Sequence, residues 1–144
     1  MATKSEGLPI GTLSRRTGVK VPTIRYYEQI GLMPSAPRTA SNRRSYGSAD
    51  VDRLAFIRHA RALGFGIAEI GELLDLAGHP DSPCADADAI ARRHLRAIEA
   101  RISRLEALRT EVARMLEAGP HGCIGQCRVI EVLADHALCA ADGH

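Results

Sequence analysis

The sequence predicts a mainly α chain: four short helices interrupted by a hairpin-like wing, then one long amphipathic helix followed by a short loop and helix. Three observations carry that expectation. Up to Leu76, apolar residues recur at helical spacing in short runs broken by Gly and Pro. From Leu95 to Leu116 the apolar intervals alternate between three and four, a coiled-coil seam too long for one chain to cover. Charge divides as well: residues 1–62 hold 11 Lys and Arg against 4 Asp and Glu, or +7, while residues 63–144 hold 8 against 13, or −5. A basic half joined to an acidic half points to a polyanion at one end only.

Taken in order, residues 1–7 are small and polar and read as a disordered N-terminus. Pro9 to Thr17 carries Ile10 and Leu13 on one face, and Gly18 breaks it. A second helix is expected from Val21 to Gln29, with Pro22 in its first turn and Ile24 inward. Of its two tyrosines, Tyr26 is expected in the core and Tyr27 at the surface. Helix, glycine turn and helix within some 20 residues is helix-turn-helix spacing. Gly31 to Ala40 reads as a loop with Pro34 and Pro37, leading to Asn42-Arg43-Arg44-Ser45-Tyr46. Alternation there sends Arg43 and Ser45 one way and Arg44 and Tyr46 the other, as in a short wing. Guanidinium groups and a phenol suit phosphate oxygens. The next helix, Ala49 to Leu63, is expected to bury Val51, Leu54, Phe56 and Ile57 and to leave Arg53, Arg58 and Arg61 for solvent or phosphate. Gly64-Phe65-Gly66 then turns the chain into Ile67 to Leu76, with Ile70, Leu73 and Leu74 inward. Residues 8–77 form the expected DNA-binding domain.

The long helix spans residues 82–118. Asp81 and Ser82 can cap it, Pro83 suits the first helical position, Asp86 and Asp88 charge the first turn, and Gly119 and Pro120 end it. Its length is about 50 Å at 1.5 Å per residue. The seam runs through Ala91, Leu95, Ile98, Ile102, Leu105, Val112 and Leu116, and the same register reaches Cys84. A second copy is implied. In a parallel dimer Cys84 would face its twin; in an antiparallel one it would meet Cys123 and Cys127 of the other copy. Residues 119–144 complete the chain as a metal-binding loop and a C-terminal helix, Val129 to Leu138.

Five aromatic residues, with no Trp, argue against a large enzymatic core, and neither a nucleophile-and-base set nor a phosphate loop is present. No 18-residue apolar run or signal segment occurs, so a cytoplasmic protein that does not enter the membrane is expected. Four Cys in a reducing compartment read as ligands or redox groups rather than structural disulfides. Thiolates select soft or borderline metals such as zinc, cadmium, lead, mercury and cuprous copper.

Ile10-Gly11-Thr12-Leu13, the run VPTIRYYEQIGL from Val21 to Leu32, Asn42 to Tyr46, and LGFGIAEIGELL from Leu63 to Leu74 together resemble the MerR family of bacterial transcription regulators. The resemblance implies a winged helix-turn-helix homodimer, and the gathering of three thiols from two subunits makes a long antiparallel coiled-coil dimerisation helix the expected arrangement. Such a dimer sits on double-stranded promoter DNA with an overlong spacer and distorts it for RNA polymerase when its effector binds. Arg25 and Tyr27 match family positions that contact the operator, and Arg44 and Tyr46 match the wing. Thr23 is placed to reach a base or a phosphate. Arg43, with Asn42, stands where many relatives have a tyrosine or isoleucine after a glycine, and its charge fits the site.

The helix-start thiol Cys84, with Cys123 and Cys127 in the following loop, resembles the metal-sensing branch, in particular its sensors of divalent ions. The effector implied is a thiophilic metal ion, divalent zinc, cadmium, lead or mercury, and the regulated genes are those of metal resistance or efflux. Only three residues separate Cys123 from Cys127, fewer than in metal-sensing relatives. Three thiolates suit trigonal mercury or lead, whereas zinc or cadmium would want a fourth donor from His121, Cys139, His136 or water. Alternatives within the family are a cuprous sensor using the two loop thiols and an iron–sulfur redox sensor, which Cys123-Ile124-Gly125 resembles. A drug-binding regulator, whose relatives carry an extra C-terminal domain, is a further alternative.

Overall fold

The computed structural model describes residues 7–38, 44–117, 119 and 122–138. The expected disorder of the N-terminus therefore falls, for residues 1–6, outside the described residues. The chain divides into two units, residues 1–90 and 91–144.

The first unit opens with α1, Ile10–Thr17, which begins once Pro9 accepts the Leu13 N–H at 3.0 Å. It ends at Gly18, whose left-handed φ of 74° lets its N–H reach the Ser14 carbonyl at 2.8 Å. Thr17 is buried and bridges the turn: its hydroxyl donates to the Leu13 carbonyl at 2.8 Å and accepts from the Val19 N–H at 3.3 Å. Helix α2, Val21–Gln29, follows with Pro22 in its first turn, where a missing N–H costs nothing. Beyond α2, the N–H groups of Leu32 and Met33 both bond the Tyr27 carbonyl, which turns these side chains into the core.

The wing closes as two isolated antiparallel bridges, Arg38 with Arg44 and Leu8 with Tyr46, rather than as a regular sheet. Helix α3, Ser48–Ala62, starts where the Asp50 carboxylate accepts the Gly47 N–H at 2.8 Å. Gly64, with φ of 87°, then turns the chain towards α4, Ile67–Ala77. One cluster joins these elements: Leu13, Val19, Ile24, Tyr27, Leu32, Met33, Tyr46, Leu54, Ile57, Ala60, Ile70 and Leu74. Leu73 is half-buried.

Two expectations about side chains are corrected and a third is extended. Tyr27 is buried and Tyr26 is 51% exposed, the reverse of what was expected, because Tyr27 lies three residues from the buried Ile24 and shares its face. Phe56 is exposed, since two residues past Leu54 the α3 surface has rotated most of the way out of the core. Arg58 and Arg61 are exposed as expected and Arg53 is half-buried, but none of the three is idle. They donate to the carbonyls of Leu32 at 2.8 Å, Thr17 at 2.9 Å and Phe65 at 3.1 Å, main-chain oxygens at turns and a helix end.

Helix α5, Cys84–Glu117, has 34 residues and starts one residue past Pro83, whose carbonyl accepts the Asp86 N–H at 3.2 Å. In a single chain its apolar stripe is uncovered: Leu95, Ile102, Leu105, Val112 and Leu116 are each about half exposed or more. Ile98 is at 39%. In the second unit, Gly119 adopts φ of 79° after α5 and its N–H bonds the Leu116 carbonyl. A 3-10 turn, Ile124–Gln126, leads into α6, Arg128–Ala134, and a second 3-10 turn, His136–Leu138, follows. Helix α6 packs against both turns and buries Val132, but it stops at Ala134, short of the expected Leu138, because Asp135 turns to extended backbone before the 3-10 turn. No helix among the described residues is long and apolar enough to cross a membrane.

Candidate nucleic-acid interface and metal-ligating thiols

A groove of about 1210 Å³ lies beside α2, lined by Pro9, Ile10, Pro22, Arg25, Tyr26 and Arg44 among others. Arg25 is exposed at its wall and Thr23 is half-buried on the same helix. Arg38, from the other side of the wing bridge, lines it too, a residue that sequence reasoning missed. Only the wing bridge with Arg44, seen in the structure, brings it there. Tyr27 is inward, so its ring belongs to the core that supports α2. Arg43 lies outside the described residues.

Glu28, which sequence reasoning also passed over, organises the wing side of the groove. Its side chain is only 4% exposed, and both carboxylate oxygens accept from Arg44 Nη1 at 3.1 Å. Tyr46, at 1% exposure, donates its hydroxyl to Glu28 Oε1 at 2.8 Å. Burial, and then the bond to and charge of Glu28, push the Tyr46 phenol up to about 12. Arg44 is held above the usual arginine value by its hydrogen bond with Tyr46 and the charge of Glu28. The wing's alternation did put Arg44 and Tyr46 on one side, but nothing in the sequence pairs them with Glu28, 16 and 18 residues earlier.

Cys84 is the exposed first residue of α5, with Sγ 3.9 Å from Asp88 Oδ1. Cys123 and Cys127 flank the first 3-10 turn: the Cys123 carbonyl accepts the Gln126 N–H and the Cys127 N–H bonds the Ile124 carbonyl, each at 3.1 Å. Cys127 then caps α6, its carbonyl taking the Glu131 N–H at 3.0 Å. All three are free thiols, Cys123 exposed and Cys127 half-buried. Among the described residues of one chain, no three His, Cys, Asp or Glu side chains gather as a metal site. His136 is exposed, and Cys139 and His121 lie outside the described residues.

Two family models match the chain: "MerR HTH family regulatory protein" over residues 8–77 and "MerR, DNA binding" over residues 51–115. The HTH-type transcriptional regulator HmrR of Sinorhizobium medicae is 41% identical over 129 residues, covering 87% of this chain and 85% of that protein. Heavy metal-dependent transcription regulator 2 of Rhizobium meliloti is 39% identical over 130 residues, covering 88% and 86%. Among solved structures, a transcription regulator from Ralstonia metallidurans in complex with lead(II) matches with a TM-score of 0.78 and 29% identity, over 88% of this chain and 98% of that one. On these matches, the chain belongs to the MerR family of transcriptional regulators and groups with its heavy-metal-dependent members.

Proposed function

We propose that the chain is a metal-responsive transcriptional activator that works as an antiparallel homodimer on promoter DNA. The observation that carries this is one helix with an uncovered apolar seam, an accessible thiol at its first residue and two more thiols in the loop beyond its other end. Residues 82–118 serve as the dimerisation helix and residues 119–144 as the sensor. Cys84 of one subunit joins Cys123 and Cys127 of the other around a thiophilic divalent ion of the zinc, cadmium, lead or mercury class. Free thiols with no disulfide partner fit that donor chemistry. His121 and Cys139 are further candidate donors.

On the DNA side, Thr23, Arg25 and Arg44 meet the operator across the groove, with Arg43 adding charge and Tyr27 and Tyr46 supporting them from the core. The metal-bound dimer distorts a promoter of resistance or efflux genes so that RNA polymerase can use it. Relatives support this: one is named for dependence on heavy metal, and one was solved with lead.

The test is transcription from the cognate promoter titrated with zinc, cadmium, lead, mercury and copper, for the wild type and for Cys84→Ser. The variant should bind DNA as before and lose its response to divalent ions. Full induction of Cys84→Ser would remove that thiol from the site and leave the two-thiol cuprous reading.

A further inference from the structure

A carboxylate on the face that meets a polyanion repels it, so Glu28 is out of place beside Arg25 and Arg44 unless something offsets its charge. Its environment supplies the offset. The side chain is almost wholly covered, and it bonds a guanidinium and a phenol that both come from the wing, 16 and 18 residues further along the chain. Arg44 spends one terminal nitrogen, Nη1, on Glu28 and keeps a side chain that is 40% exposed. A free arginine samples many rotamers, and ordering it at the moment of binding weakens the complex. Here that ordering is done within the folded protein.

We propose that Glu28 is a positioning residue for DNA recognition, clamping Arg44 of the wing to α2 so that the remaining edge of its guanidinium is preset for one phosphate. The clamp rests on the reading of this groove as the DNA interface. Tyr46 takes part as well, because its buried hydroxyl donates to Oε1, the same Glu28 oxygen that Arg44 bonds.

Charge and positioning make opposite forecasts for Glu28→Gln. Removing a negative charge near DNA tightens binding by electrostatics alone. Releasing Arg44 loosens it and removes its counterion contribution. The experiment uses the full chain, a random-sequence duplex, and a duplex selected by the wild type from a randomised pool, with binding followed across salt. Glu28→Gln and Glu28→Ala should each bind the selected duplex about tenfold more weakly, with a salt slope smaller by about one, as for Arg44→Ala.

In an Arg44→Ala background, Glu28→Gln should cause no further loss, since the two act as one unit. Circular dichroism confirms that the variants compared are folded, and Gln keeps an acceptor for Tyr46 should Ala fail that check. Binding by folded Glu28→Gln that equals or exceeds the wild type overturns the clamp. So does a loss that persists at full size without Arg44, because that is a general structural defect. A wild type that selects no duplex and retards none sinks the interface itself, a different result from either.

Discussion

At the scale of single residues, the wing depends on buried polar groups that must all be satisfied at once. Tyr46 has a folded-state value near 12 against an ordinary 10, so the native state keeps a proton that the unfolded chain gives up. The stability this contributes is whole below pH 10 and is lost as pH rises towards 12. Thermal unfolding measured between pH 9 and pH 12 should show a steeper alkaline decline for the wild type than for Tyr46→Phe, which has no proton to lose. Parallel declines would mean that burial and the bond to Glu28 do not hold the phenol neutral above its ordinary value. Little of this was legible in the chain. The bonds from Arg44 and Tyr46 to Glu28 have no local spacing to betray them. The exchange of Tyr26 and Tyr27 was legible, since the helical period counted from Ile24 selects Tyr27.

Helices and turns were far easier to read, because each boundary carries its own chemical mark. Helix α2 spans the expected Val21–Gln29, and α1, α3 and α4 differ from expectation by about one residue at an end. Pro22 and the glycines 18, 64 and 119 are those marks. The turn between α1 and α2 shows what lies beyond them. Gly18 is required by its φ of 74° and also by Arg58, which reaches from α3 to the Thr17 carbonyl at 2.9 Å. A β-carbon at Gly18 would run into that guanidinium.

Gly18→Ala therefore combines backbone strain with displacement of a charge-assisted bond and should cost about 2 kcal/mol. Arg58→Met should cost about 1 kcal/mol by losing the bond alone. Denaturant unfolding of the two variants and of the pair tests the coupling: once Arg58 is gone, Gly18→Ala should cost less. Equal costs in both backgrounds would show that the turn and the arginine are independent.

At the scale of the whole molecule, the uncovered seam of α5 is the feature one chain cannot resolve. Covering each half-exposed Leu or Ile is worth about 1 kcal/mol. Across Leu95, Ile98, Ile102, Leu105, Val112 and Leu116 that sum favours a second helix strongly. On the proposed dimer, Ile102→Glu in mid-seam places a charge there and should give a monomer by sedimentation, with operator affinity falling as one half-site is lost.

Direction is a separate question, and crosslinking through the thiols tests it. A disulfide needs Cα atoms about 4.4–6.8 Å apart, whereas the two ends of α5 are separated by about 50 Å. In a chain whose other cysteines are replaced by Ser, Cys84 alone should stay uncrosslinked under mild oxidation if the helices run antiparallel. A chain retaining Cys84 and Cys123 should give a covalent dimer on a non-reducing gel. Efficient crosslinking of the Cys84-only chain would place the two N-terminal ends together. Cys84 could then no longer share an ion with the partner's loop, and the proposed metal site would be left with the two thiols of that loop.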